Sequence, residues 1–405
     1  MKRRDFITYT ALLSTGGFLG YFLGHKNPDP TIFNPFSQED FNKVNLNGTL
    51  ICTGSRYNDS DFESALTIID LAKQKVETKI IPAKSAHFSN IIQNKKKDLV
   101  VSSEDSILIL DSRNYEIKKK ISFNNDQKFD HTTHPVFIDD LLYVAHFPIK
   151  LSNEPAILTA LDATNKYDIV SQNVIGPNPH VMLLSQDQRR LFITSTIKLF
   201  DEDTGEYQGG SARPRKSEVL LFDLNNKQLI PSNFKVEEFG GLSHISLGRN
   251  DQILGTLRLF KNKEKFKLED MPANATTSKS VGRMAGEAQL LLWQDGKPLR
   301  IGKPKYHRAQ QSTTFHHLEN KFYVTYKDSN IVSEVNAASG ICRYFNSEEF
   351  GINEPAGISY IYNTPFVAVV GKNSGIAIVD FSQRKLVRYY ELATYNLIHS
   401  TFILT

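Results

Sequence analysis

Three observations predict that the 405-residue chain is all-β and folds as a seven-bladed β-propeller. Short apolar runs alternate with turn residues, one such run recurs seven times, and the last strand has no partner after it. A repeat architecture of this length forms one cooperative unit, so residues 48–405 are expected to be a single propeller domain.

The N-terminal segment stands apart from the repeats. Lys2-Arg3-Arg4-Asp5-Phe6-Ile7 leads into an apolar stretch over residues 9–23, and His25-Lys26-Asn27-Pro28 ends it. A basic patch before a short apolar stretch containing Gly and Ser reads as an export signal rather than a membrane span. Paired arginines before an aromatic residue match the twin-arginine signal. No A-x-A cleavage site follows, so residues 1–24 are expected to serve as a signal or to remain as a membrane anchor. The expected location is the periplasm or the outer face of the inner membrane. Residues 25–47 carry Pro, Asn and Asp without periodicity and read as a linker.

From Gly48 the pattern becomes β-rich. The recurring run ends in a polar residue before a turn: Asp70, Asp111, Asp162, Asp223, Gln294, Asn336 and Asp380. Asp or Asn suits that position because its side chain accepts hydrogen bonds from backbone amides two residues on and starts the turn. Before each run lies another apolar strand, at Leu50, Leu99, Leu142, Leu191, Ile253, Phe322 and Phe366. Before these comes one more, starting near His87, His134, His180, His244, His316, Gly357 and His399. Four strands per unit make a propeller blade. The strand from His399 is expected to pair with the N-terminal strand near Leu50, so that one blade is closed from both chain ends and no sheet edge is left open.

Composition narrows the function. The 48 basic and 44 acidic residues give a net charge of +4, too balanced for a nucleic-acid surface. Only Cys52 and Cys342 occur, in different repeats, so neither a disulfide framework nor a Cys-based metal site is expected. No GxSxG, HExxH, P-loop or dinucleotide motif is present, and no catalytic residue can be assigned.

Histidine carries the functional signal. The innermost strand of a blade lines the channel, and six of these strands are expected to begin at or beside a histidine. Eight of the eleven histidines fall in those windows. His87, His131, His134, His180, His244, His316 and His399 are therefore candidate ligands for a transition metal such as Fe, Cu or Zn, which bind neutral imidazole. The competing reading is a ring of structural histidines that hydrogen-bond between blades. His25 and His307 fall outside the pattern and are expected in solvated loops. Two insertions, residues 197–216 and 260–286, fall between the second and third strands of their blades, on the face where the inner strands begin. Asp201-Glu202-Asp203 in the first offers oxygen ligands, or is a solvated charge run. Asp130 is placed to orient His131.

These contexts resemble a family of twin-arginine-exported propeller proteins, a domain of unknown function associated with imelysin-type iron-uptake proteins of bacterial envelopes. Gly176-Pro177-Asn178-Pro179-His180 is similar to the family's Gly-Pro-His motif with two residues inserted, and Arg213-Pro214-Arg215-Lys216-Ser217 is similar to the end of its long loop. Ser243-His244-Ile245 lacks the family's arginine, and Leu397-Ile398-His399 keeps only the histidine of its terminal motif. The resemblance implies an envelope location, an imelysin-type or other envelope partner and a link to iron, without a reaction. Nitrous oxide reductases resemble this chain in fold and in channel histidines, but here there is no cysteine-rich copper domain. Three functions stay open: a non-enzymatic metal-binding protein of the envelope, a redox enzyme with a His-ligated copper or iron centre, and a protein-interaction scaffold.

Overall fold

In a computed structural model the described residues run from 46 to 403, apart from 59–60, 83–90, 94–97, 104–105, 124–130, 133, 148–154, 199–214, 237–239, 260–287, 295, 304–305, 308–309, 374 and 393. The signal segment 1–24, the linker up to residue 45, His87, Asp130, the acidic triplet and most of both insertions lie outside them.

Seven antiparallel sheets form a β-propeller, six of four strands and one of five. Blade 1 has the order Tyr395–Ile403, Thr49–Asn58, Asp61–Asp70, Lys75–Ile80. Blades 2 to 7 follow in chain order, beginning with Ile91–Gln93, His131–Thr132, Pro179–Leu184, Gly240–Leu247, Gln310–His316 and Pro355–Tyr360. The five-stranded sheet is blade 3, where His131–Thr132 and Val136–Ile138 both pair with Leu141–Phe147. Together they form one inner strand interrupted at 133–135. No helix among the described residues is long and apolar enough to cross a membrane.

The predicted closure is present. Thr49 pairs with Ile403, Leu50 with Phe402, Ile51 with Thr401 and Cys52 with Ser400, so the two chain ends complete blade 1. This strand begins at Tyr395, four residues before the expected His399.

What holds the ring together is burial between blades. Seven apolar clusters occupy the seven interfaces between neighbours. The one joining blades 7 and 1 packs Val370, Ile376 and Ile378 against Leu50, Cys52 and Ile69. Each third strand presents residues to both faces, so Ile107 and Ile109 pack on blade 3 while Leu108 and Leu110 pack on blade 1. The period-two alternation of a strand thus becomes two interfaces.

The polar residues that end the third strands act as expected. Asp111 Oδ1 accepts from Arg113 N at 2.9 Å, Asp162 Oδ1 from Thr164 N at 2.7 Å and Asn336 Oδ1 from Ala338 N at 3.1 Å. Gln294, one carbon longer, instead donates to Ala338 O of the next blade. Cys52 and Cys342 are free thiols, and burial raises the pKa of both, that of Cys342 to about 11.

Candidate metal centre

The inner strands of several blades are not regular, and their irregularities create the site. In blade 4 the register shifts between Pro179 and Met182, leaving His180 and Val181 opposite Thr194 alone. In blade 5 it shifts between Leu242 and Ile245, leaving Ser243 and His244 opposite Thr256. In blade 3 the interruption at 133–135 contains His134. An extra residue in a strand re-aims the local side chains out of the regular pleat. The histidines of three consecutive blades therefore all sit at such irregularities, His180 first in its pair, His244 second in its own and His134 in the interruption.

Backbone contacts fix each one. The chain passes from the outer strand Asp168–Pro177 of blade 3 to the inner strand of blade 4 through Asn178 alone, which takes a left-handed φ of 42°. Ser195 Oγ donates to Pro177 O at 2.7 Å, and Thr194 Oγ1 accepts from Val181 N at 2.9 Å. A Cβ on Gly176 would stand 2.6 Å from Leu220 Cδ1 and 3.0 Å from Ser195 Oγ, so any larger residue there would have to displace these side chains. The motif Gly176-Pro177-Asn178-Pro179-His180 is thus the crossover that delivers His180. Leu242 N, two residues before His244, donates to Ser217 Oγ of blade 4 at 2.9 Å. His134 N donates to His180 O at 3.2 Å across the boundary between blades 3 and 4.

The three imidazoles converge. Ring centroids lie 5.1 Å apart for His134 and His180, 4.9 Å for His180 and His244, and 5.9 Å for His134 and His244. One ring nitrogen from each lies within 4.8 Å of the other two, and His180 Nε2 is 3.4 Å from His244 Nε2. Two nitrogens on one tetrahedral ion, each about 2.0–2.1 Å from it, stand about 3.3–3.4 Å apart, so this pair already has the spacing of shared ligands. His134 is buried while His180 and His244 are partly buried. Three imidazoles are the ligand set the described residues offer, one short of a closed tetrahedral site.

The other predicted ligands do not join the described cluster. His316 ends its inner strand, pairing with Lys321 at the turn, and so lies at the opposite end from the strand entries. There its Nδ1 accepts from Glu319 N at 3.2 Å, its ring lies 4.2 Å from Tyr360, and burial lowers its pKa. The expectation that it opens a strand fails because the strand starts six residues earlier, at Gln310. His131 pairs with Phe147 and His399 with Thr53, and their side chains, like all of His87, lie outside the described residues.

His307 corrects another expectation. It is fully buried rather than solvated, stacked on Tyr326 at 4.7 Å with Nε2 3.1 Å from the Tyr344 hydroxyl. His146, which carries no mark in the sequence, is likewise buried, in the second strand of blade 3. It stacks on Phe123 at 4.3 Å, its Nε2 lies 2.8 Å from Thr159 Oγ1, and burial lowers its pKa to about 4. The threonines opposite the irregular positions are easily passed over too, although Thr194, Thr256 and Thr325 recur at one register of the second strands.

Fold and site together define a class: seven-bladed β-propellers with a histidine triad, drawn from adjacent blades, that could hold a metal. No family model matches the chain, and no characterised protein matches it by sequence. Among solved structures it is similar to a variant of the Synechocystis apocarotenoid oxygenase, at 12% identity and a TM-score of 0.58 over 93% of this chain and 95% of that one. A protein from Lactobacillus plantarum is similar at 14% identity and a TM-score of 0.57, over 88% and 100% of the two chains. The lignostilbene dioxygenase of Pseudomonas brassicacearum is similar at 10% identity and a TM-score of 0.54, over 93% and 95%. At such identities the likeness concerns the fold alone.

Proposed function

We propose that this chain is an exported envelope propeller that binds one transition-metal ion, Zn, Cu or Fe, through His134, His180 and His244. The observation that carries the proposal is the convergence of three ring nitrogens, from three blades, within 4.8 Å of one another. Neutral imidazole is a ligand for each of these metals, and the ion would supply Lewis acidity or, for Cu and Fe, electron transfer. The residues bring rigidity: the His134 N–H on His180 O and the Ser217 hydroxyl at Leu242 hold the rings in register before any ion arrives. Envelope location rests on the Arg3-Arg4 signal, and a role in iron supply with an imelysin-type partner rests on the family resemblance.

A second reading, a metal-dependent redox enzyme, is favoured by one feature: the three ligands found among the described residues would leave a coordination position for a substrate. Solved structures of similar fold include an apocarotenoid oxygenase and a lignostilbene dioxygenase, which agrees with this reading without assigning a reaction. The test is metal analysis of the protein purified from its own envelope fraction, followed by optical and paramagnetic spectra. One equivalent of Cu or Fe with a redox-active spectrum supports the enzyme. One equivalent of Zn supports binding or hydrolytic chemistry. Substoichiometric metal throughout would leave the histidines structural and the chain a scaffold.

A further inference from the structure

Blades 4, 5 and 6 share one device. The inner strand carries an extra residue, and the single residue opposite it on the second strand is a threonine: Thr194, Thr256 or Thr325. In blade 4 the Thr194 hydroxyl accepts the N–H of Val181, the second residue of the irregular pair, at 2.9 Å. In blade 6 the Thr325 hydroxyl accepts the N–H of Ser312, again the second of the pair, at 3.1 Å, and donates to Ala356 O of blade 7 at 2.6 Å. In blade 5 the corresponding residue is His244. Here the threonine is different, because Thr256 Oγ1 is buried, at 1% exposure of the residue, and has no hydrogen-bond partner among the described residues.

A buried hydroxyl without a partner destabilises the fold and calls for an explanation. The local packing narrows it. A Cβ on Gly255, the residue before Thr256, would meet Leu242 Cδ1 at 2.8 Å and Ile245 Cγ2 at 3.1 Å, so the side chains that flank Ser243–His244 fill the space beside the second strand. Thr256 itself stands opposite the segment that bears the ligand, in the register where its two counterparts each hold a backbone N–H.

We infer that Thr256 is the positioning residue of His244, resting on the metal-centre reading above. With an ion held by the three imidazoles, the Thr256 hydroxyl accepts the His244 N–H, as Thr194 and Thr325 accept those of Val181 and Ser312. Partners of metal ligands commonly change affinity by about 10–100-fold when removed.

The test is titration of the full-length protein with Co(II), followed by its visible absorption, together with melting of the metal-free forms. Thr256→Val keeps the shape and removes the hydroxyl. It should weaken Co(II) binding by about 10–100-fold while the metal-free melting temperature stays equal or rises, since a hydroxyl that bonds nothing is lost at no cost. Thr256→Ser should restore affinity. Thr325→Val, in a blade whose irregular pair is Gln311-Ser312, should lower the melting temperature and leave Co(II) affinity unchanged. Wild-type affinity in Thr256→Val overturns the inference and leaves the metal centre standing. So does a destabilised metal-free Thr256→Val, because the hydroxyl would then be a structural bond. Failure of the unaltered chain to bind Co(II) overturns the metal centre and this inference with it.

Discussion

The backbone N–H of His134 donates to the carbonyl oxygen of His180 at 3.2 Å, joining a ligand of blade 3 to a ligand of blade 4. His134 sits between two short strands, where ladder bonds are interrupted, and a bond to the next blade takes their place. The candidate ligands are therefore coupled through the backbone as well as through their rings. A metal centre of this kind inherits the rigidity of the ring of blades, and changes that loosen the ring should reach it.

Closure gives the broadest such change. Deleting residues 399–405 removes the partners of Thr49, Leu50, Ile51, Cys52 and Thr53 and bares side chains that are at most 6% exposed. The expected outcome is a loss of cooperative unfolding, with stability reduced by roughly several kcal/mol, since each blade depends on both neighbours. Calorimetry showing an unchanged, single transition would refute the role of the terminal strand.

A smaller lesion tests the close approach in blade 5. Gly255→Ala places a methyl group 2.8 Å from Leu242 Cδ1, 3.1 Å from Ile245 Cγ2 and 3.2 Å from Trp293 Cζ3, in a filled interface. Overpacking of this kind costs about 1–3 kcal/mol. Urea unfolding should show that loss, and metal affinity should fall with it because the displaced strand carries His244. A neutral substitution would mean that the strands have room to spare.

His146 predicts a pH dependence. Burial holds its pKa near 4 in the folded chain, below the ordinary imidazole value of about 6.5. Between these values the unfolded chain takes up a proton that the folded chain refuses. Stability is therefore fully present above about 6.5 and falls as the pH drops towards 4, by at most about 3 kcal/mol from this residue. His146→Phe should flatten that part of the profile. The remainder belongs in part to His316 and His317, which burial also lowers. Identical slopes for variant and wild type between pH 7 and 4.5 would show that His146 protonates freely in the folded state.

The export assignment has its own test. Replacing Arg3 and Arg4 by Lys should leave the protein in the cytoplasm, because the twin-arginine signal is defined by both arginines. Fractionation that finds the variant in the periplasm at wild-type levels would remove the basis for an envelope role.

The blades were legible in the sequence because their marks are local. Asp111 and Asp162 end apolar runs and bond amides two residues on, and such short-range chemistry repeats wherever the turn repeats. The closing strand was legible from count alone, as an unpartnered run at the C-terminus. His134, His180 and His244 were legible as histidines recurring on inner strands, although only His180 lies at a strand entry, His244 being the fifth residue of its strand and His134 falling between two short ones. His316 was not, because an apolar run with a histidine does not tell its first residue from its last. His307 was missed since its burial depends on Tyr326 and Tyr344, partners 19 and 37 positions along the chain. The irregular strand positions carry no compositional mark on the inner strand itself. Their trace was Thr194, Thr256 and Thr325, one strand away.

The central claim is that His134, His180 and His244 share one ion, and Co(II) titration of the full-length protein tests it most directly. The account predicts one equivalent bound, with the intense visible absorption of a tetrahedral or five-coordinate site. Binding should weaken as pH falls through about 6.5, where free imidazole protonates. Alanine at His180 or His244 should abolish stoichiometric binding, whereas alanine at His316, which lies at the other end of its strand, should leave it intact. No saturable absorption in the wild type, or full binding by His180→Ala, would contradict the account.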